Sequence, residues 1–181
     1  MLQLNFTPFP ILETERLILR PIAISDSPEV FIMRNDEDLT KYTGGPRAHV
    51  MQDAIDFIGR ISKNAQNNEA IQWGIAVKGE QNLAGSICYW NIVNEEDKAE
   101  LGYGLLPAYQ KQGIMNEALP AVIGYGHEVM KLKTIEAYTD ERNEPYRQLL
   151  ERNKFQLHED MGGIKKGQQD LESMLIYVLY G

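Results

Sequence analysis

The sequence predicts an α/β protein: a mixed, mostly antiparallel sheet of about seven strands with helices on its faces. Three observations point there. Residues 71–77, 83–93 and 99–106 are apolar runs parted by short polar turns, the pattern of consecutive antiparallel strands. Residues 49–64 and 114–130 repeat their apolar positions at helical spacing. Across residues 100–119 a strand runs through a Gly-containing turn straight into a helix. The chain has 181 residues, enough for a substantial core, and a single domain spanning 1–181 is expected.

The elements follow in order. Leu2 to Pro10 is apolar, carries Pro8 and Pro10, and reads as an extended arm. Leu17, Ile18 and Leu19 mark the first strand. Ser25-Asp26-Ser27-Pro28 is a helix start, with capping side chains ahead of a Pro in the first turn. That helix carries Val30, Phe31 and Met33 inward and stops near Asn35. Thr43-Gly44-Gly45-Pro46 is a loop. A second helix over His49 to Asn64 buries Ala54, Ile55, Ile58 and Ile61. Strands follow over Ile71–Val77, Leu83–Val93 and Ala99–Leu106, with turns at Lys78-Gly79-Glu80 and Glu95-Glu96-Asp97-Lys98. The helix over Ile114 to Met130 contains Pro120, which removes one intrahelical bond. Gly124 and Gly126 soften it further, so a kink or a local 3₁₀ or π irregularity is expected. Thr134 to Thr139 is a strand. Asn143 caps a helix through Arg152, and Phe155–Leu157 with Leu171–Leu179 form the last strand pair.

The turn Gln110-Lys111-Gln112-Gly113-Ile114-Met115 sits at a helix N-terminus. Free N–H groups of the first turn point outward there and the helix dipole favours negative charge, so the turn reads as an anion site. It has neither the Gly-Lys-Ser/Thr ending of a P-loop nor the three glycines of a dinucleotide fold. A different phosphate ligand is indicated.

Gln110-x-x-Gly113-x-Met115, after a strand ending in Leu106-Pro107, resembles the pyrophosphate loop of the GNAT acyl-CoA N-acyltransferases. That family's pattern is Gln or Arg, two residues, Gly, one residue, then Gly or Ala; Met115 departs from it. Thr14-Glu15-Arg16-Leu17-Ile18-Leu19-Arg20-Pro21 resembles the "TERLxLRP" opening strand of the RimJ/RimL-type branch, which includes ribosomal-protein N-terminal acetyltransferases. Ala99-Glu100-Leu101-Gly102-Tyr103 resembles its "AEIGY" strand, and Glu117-Ala118-Leu119 its "EAL". Asn143 with Leu149-Leu150-Glu151-Arg152-Asn153-Lys154-Phe155 resembles "N…VLEKLGF", Lys154 standing where the family usually has Gly. The similarity runs from about Thr14 to the C-terminus.

The resemblance implies an acetyl-CoA-dependent N-acetyltransferase whose sheet splays between its fourth and fifth strands. Backbone groups of Leu105 and Leu106 would hold pantetheine, with a Leu106 or neighbouring N–H facing the thioester carbonyl. Residues Gln110, Lys111, Gln112, Gly113, Ile114, Met115 and Asn116 would hold the pyrophosphate, and Asn143 would bond to pantetheine. Acyl transfer to an amine needs a base, a donor for the oxyanion and a partner for the departing thiolate. Glu100 is the first candidate base: it shares a strand face with Gly102 and Gly104, which leave room beside it, and the family's catalytic Glu often occupies this position. An ion pair with a neighbouring strand is the alternative. Glu136, on one face with Thr134, Tyr138 and Asp140, is the second candidate, with a solvated face as its alternative. Tyr146, where the branch commonly has Ser, is the candidate acid or else a core aromatic; Leu150 stands where many relatives have a Tyr.

Composition limits the partners. The formal charge of −8 argues against nucleic-acid binding through broad phosphate neutralisation. The expected acceptor is an amine: a protein N-terminus, or a small molecule such as a polyamine, amino sugar, amino acid or antibiotic. A catalytically idle CoA-binding interaction module is the alternative of another class. His49, His127 and His158 lack metal-ligand spacing and the single Cys88 adds none, so no metal is expected. That lone Cys and the absence of a signal-peptide pattern suggest a cytoplasmic setting, and no stretch has the length of a membrane span. Many relatives dimerise, so a homodimer is allowed.

Overall fold

The computed structural model describes residues 1–40, 46–158 and 174–181. Thr43, Gly44 and Gly45 of the expected loop, the loop from Gly162 to Gln169 with Lys165 and Lys166, and Leu171 to Ser173 of the expected last strand lie outside these. The elements are β1 (Leu12–Glu13), β2 (Leu17–Pro21), α1 (Ser27–Asn35), α2 (Glu37–Thr40), α3 (Met51–Gln66), β3 (Ile71–Val77), β4 (Leu83–Val93), β5 (Lys98–Leu105), α4 (Ile114–Gly124), β6 (Thr134–Asp140), α5 (Glu144–Arg152), β7 (Gln156–Leu157) and β8 (Met174–Tyr180). They build one sheet in the order β1-β2-β3-β4-β5-β6-β8-β7. The strand beyond the expected seven is β1, two residues paired with β2. The four-residue α2 is too short to show a helical period.

All pairs are antiparallel except β5–β6. That parallel ladder starts at Lys98↔Thr134 and ends at Leu101↔Ala137. Beyond it β5 stays paired only with β4, and β6 only with β8, which is the expected splay.

Strand alternation sends side chains to two faces. On one face Trp73, Tyr89 and Leu101 are buried in the main core beneath α4. The Trp73 and Tyr125 rings meet edge-on at 5.4 Å, and the Tyr89 hydroxyl donates to the Val122 carbonyl at 3.0 Å. On the other face α1 and α3 pack Val30, Ala54 and Ile58 against Ile22, Ala76 and Leu83. Phe6 of the N-terminal arm is buried, and the Trp73 indole donates to the Pro10 carbonyl at 2.8 Å, so the arm belongs to the core.

The irregularity expected in the long helix is a π turn at Tyr125–Val129, one turn past Pro120. The glycines place it there: a Cβ at Gly126 would lie 2.6 Å from the Tyr89 hydroxyl. The widened turn admits that phenol to a helix carbonyl.

Candidate active site

The turn after β5 is shaped by its own side chains. Gln110 Nε2 donates to the Leu105 carbonyl at 3.1 Å and Gln112 Nε2 to the Ala108 carbonyl at 2.6 Å. Gly113 has φ +76° and opens α4; a side chain there would carry the strain of the left-handed region. The first helical bond runs from Glu117 N–H to the Gly113 carbonyl at 3.2 Å. The N–H groups of Ile114, Met115 and Asn116 therefore have no helical acceptor. Met115 is buried in the core. Its bulk points away from the loop, so the departure from the small-residue pattern leaves the N–H group in place.

Three residues outside the predicted set hold this turn. Glu117 accepts from the Thr14 hydroxyl at 2.5 Å, from Arg16 N–H at 2.7 Å and from Arg16 Nε at 2.6 Å. Burial alone would raise the Glu117 carboxyl; the Thr14 and Arg16 donors and the Arg16 charge outweigh it and hold it at about 2. The two motifs "TER" and "EAL" are thus halves of one clasp.

Backbone direction along β5 follows from the ladder. Leu106 N–H donates to the Ala84 carbonyl at 2.9 Å, on the β4 side. The Asp97 carbonyl accepts from Lys133 N–H at 2.8 Å, on the β6 side. Alternation then turns the N–H and C=O groups of Tyr103 and Leu105 toward the splay. Of the expected Leu106 or neighbouring N–H, that of Leu106 is bonded to β4, and the Leu106 carbonyl accepts from Tyr109 N–H at 2.9 Å. The neighbouring Leu105 turns its N–H toward the splay, while its carbonyl is bonded to Gln110 Nε2.

Glu100 and Glu136 are register partners across β5 and β6 and share a face. They differ in company. Glu100 is buried, and Asn91 Nδ2 donates to its Oε2 at 2.9 Å. Asn91 reaches it because β4 bulges between Trp90 and Val93, with Asn91 at φ +46°. Glu136 forms a strand-to-strand ion pair: Lys98 Nζ lies 3.3 Å away, and the Tyr138 hydroxyl donates at 3.0 Å. Among the described residues a Cβ on Gly104 would meet nothing within 4 Å, while one on Gly102 would meet Cys88 Sγ at 3.2 Å. The room beside Glu100 therefore lies mainly at Gly104.

Tyr146 stacks on Tyr103 with centroids 4.1 Å apart, and the Tyr103 hydroxyl donates to the Tyr146 carbonyl at 3.3 Å. Burial first, then Cys88 and Glu100, push the Tyr146 phenol well up. Burial also pushes the Cys88 thiol up to about 12, against a Gly102 backbone contact and with help from Glu100. Such a thiol stays protonated at neutral pH and is no nucleophile. Asn143 precedes α5 but makes no side-chain cap bond, so capping does not occupy its amide. Leu150 is fully buried core. Lys154 has φ +68°, the conformation for which the family's Gly is suited. Among the described residues no group of three or more metal-ligating side chains occurs, and no helix is long and apolar enough to cross a membrane.

The chain as a whole is similar to known proteins. The profile of the acetyltransferase (GNAT) domain matches residues 16–156. An uncharacterized N-acetyltransferase of Bacillus subtilis (strain 168), YoaA, is 32% identical over 148 residues, 82% of this chain and 84% of that protein. Among solved structures, RimL, the ribosomal L7/L12 alpha-N-protein acetyltransferase in complex with coenzyme A, superposes with a TM-score of 0.82 at 20% identity, covering 94% of this chain and 98% of that one. The microcin C7 self-immunity acetyltransferase MccE, bound to acetyl-CoA and AMP, does so at 0.76 and 21% identity, covering 92% and 93%. The last two likenesses are of fold. Matched from Arg16 to Gln156, a span that takes in both the loop and the paired carboxylates, the chain belongs to the GNAT family of N-acetyltransferases.

Proposed function

We propose that the protein moves an acetyl group from acetyl-CoA to a primary amine, the α-amine of a protein N-terminus, by direct attack in a ternary complex. The observation that carries this reading is the parting of β5 and β6 after Leu101 and Ala137, with Glu100 one residue before the parting and the Gly113 turn beyond it. Pantetheine would lie against the Tyr103 and Leu105 backbone, with Asn143 alongside. The diphosphate would rest on Gln110 to Asn116.

In this reading Glu100, held by Asn91, takes the proton as the amine attacks the thioester carbon, directly or through one water. The Leu105 N–H faces the developing oxyanion. The tetrahedral adduct then expels the CoA thiolate. Tyr146 serves as a hydrogen-bond donor to that sulfur: a phenol held this high keeps its proton. Both Glu136 oxygens are taken by Lys98 and Tyr138, so it shapes the acceptor cleft. The chain's negative charge suits a cationic acceptor. The RimL likeness supports a peptide acceptor.

Calorimetric titration with acetyl-CoA tests the donor half. Saturable binding that weakens about tenfold in Gly113→Val is expected, from about 1–2 kcal/mol of left-handed strain. No binding at millimolar acetyl-CoA would end the reading. Mass spectrometry on a panel of unblocked peptides, polyamines, amino sugars and amino acids tests the acceptor half. Acetylation of small amines alone would replace the peptide assignment, and binding without turnover on any amine would make the protein an idle CoA-binding module.

A further inference from the structure

We infer that Thr14, Arg16 and Glu117 are positioning residues for the donor's diphosphate, and that Arg16 sets the orientation of the Gln112–Gly113 peptide. This rests on the reading of the Gly113 turn as the diphosphate site.

A carboxylate in the first turn of α4 stands close to where an anion would sit and would repel it. Here its charge is met at once. Arg16 Nε and Glu117 Oε2 are 2.6 Å apart, and Thr14 and Arg16 N–H fill the other oxygen. The pair leaves the site without a net negative charge from Glu117.

The same guanidinium reaches further. Arg16 Nη1 donates to the Gln112 carbonyl at 3.1 Å, and Nη2 lies 3.5 Å from the place of a Gly113 Cβ. A trans peptide is planar, with its C=O and N–H pointing in opposite directions. With the Gln112 carbonyl turned to Arg16, the Gly113 N–H is turned away from it. One arginine therefore ties the start of β2, the first turn of α4 and a loop peptide into a single arrangement. It acts through the peptide, as an anchor for the N–H groups that would touch phosphate. Lysine could supply the charge but not the planar fork that bridges Glu117 and Gln112.

The test compares two donors on the full chain. Acetyl-CoA is titrated by calorimetry, and S-acetylpantetheine, which lacks diphosphate and nucleotide, by ligand-observed NMR. Arg16→Met is expected to weaken acetyl-CoA at least about tenfold and to leave S-acetylpantetheine unchanged. Arg16→Lys should restore the melting temperature and not the affinity. Glu117→Gln removes the charge that would repel an anion but also the ion pair that anchors the Arg16 fork. A loss of acetyl-CoA affinity in it therefore reports positioning and not charge. That loss is expected, and it covers the case in which Arg16→Met fails to fold. Equal losses for both donors, or unchanged acetyl-CoA binding in the folded variants, would overturn the inference. A wild-type protein that holds S-acetylpantetheine as tightly as acetyl-CoA would instead remove the diphosphate reading beneath it.

Discussion

The turn at Gly113 and the carboxylate face at Glu100 are built in opposite ways. At the turn the groups left without a helical acceptor are the backbone N–H groups of Ile114, Met115 and Asn116, while side chains stay behind as bracing. At the carboxylate face the group that would act is a side chain, and Asn91 on a bulge of the neighbouring strand donates to it. Backbone recognition tolerates exchange of side chains; Met115 keeps its N–H in place while its bulk packs into the core. Side-chain recognition does not, so on the proposed function variation among relatives should gather at the carboxylate face.

The comparison breaks most sharply at Glu100. Glu100→Gln should lower kcat by about 10²–10⁴-fold, the usual worth of a general base, with acetyl-CoA affinity near wild type. A kcat within twofold would transfer the role elsewhere. Tyr146→Phe should cost less, about tenfold to a hundredfold in kcat, the range for one hydrogen bond of about 1.5–3 kcal/mol to a charged group. Steady-state kinetics at saturating acetyl-CoA reads both. Glu136→Gln sharpens the contrast between partners of one register pair: only a few-fold change is expected, in the KM of the acceptor, because Lys98 and Tyr138 already occupy that carboxylate.

The smallest effect is on stability and comes from the turn. The Glu117 carboxyl stands at about 2 in the folded chain against an ordinary 4.5. A depressed carboxyl stabilises the fold in full above its unfolded value, and the gain fades as pH falls through the folded one. The melting temperature of wild type should therefore exceed that of Glu117→Gln by a constant margin above about pH 5, and the margin should shrink between about pH 4.5 and 2. A margin that grew on acidification would refute the clasp.

How much of this could be read in the sequence follows from distance along the chain. The turn is local: Gln110, Gly113 and the helix start lie within a few residues, so their spacing carried the signal. The clasp joins Arg16 to Glu117, and no spacing rule connects them; the only trace was that both sat in segments resembling one family. The bond from Asn91 to Glu100 was hidden because it depends on a bulge and a left-handed residue. The ion pair of Lys98 with Glu136, two residues past its register partner Thr134, carried no signal in the spacing either. The helix irregularity was foreseen from Pro120. Its position past the proline depended on Tyr89, a residue on another element, finding space at Gly126.

Only four register pairs stitch β5 to β6, whereas β4–β5 and β6–β8 are each joined by seven. The sheet is thus two panels, β1 to β5 and β6 with β8 and β7, hinged along a short seam. A ligand laid against Tyr103 and Leu105 would act as a suture between them. It would lend the seam bonds that the chain itself withholds, so that the molecule is most nearly whole when loaded.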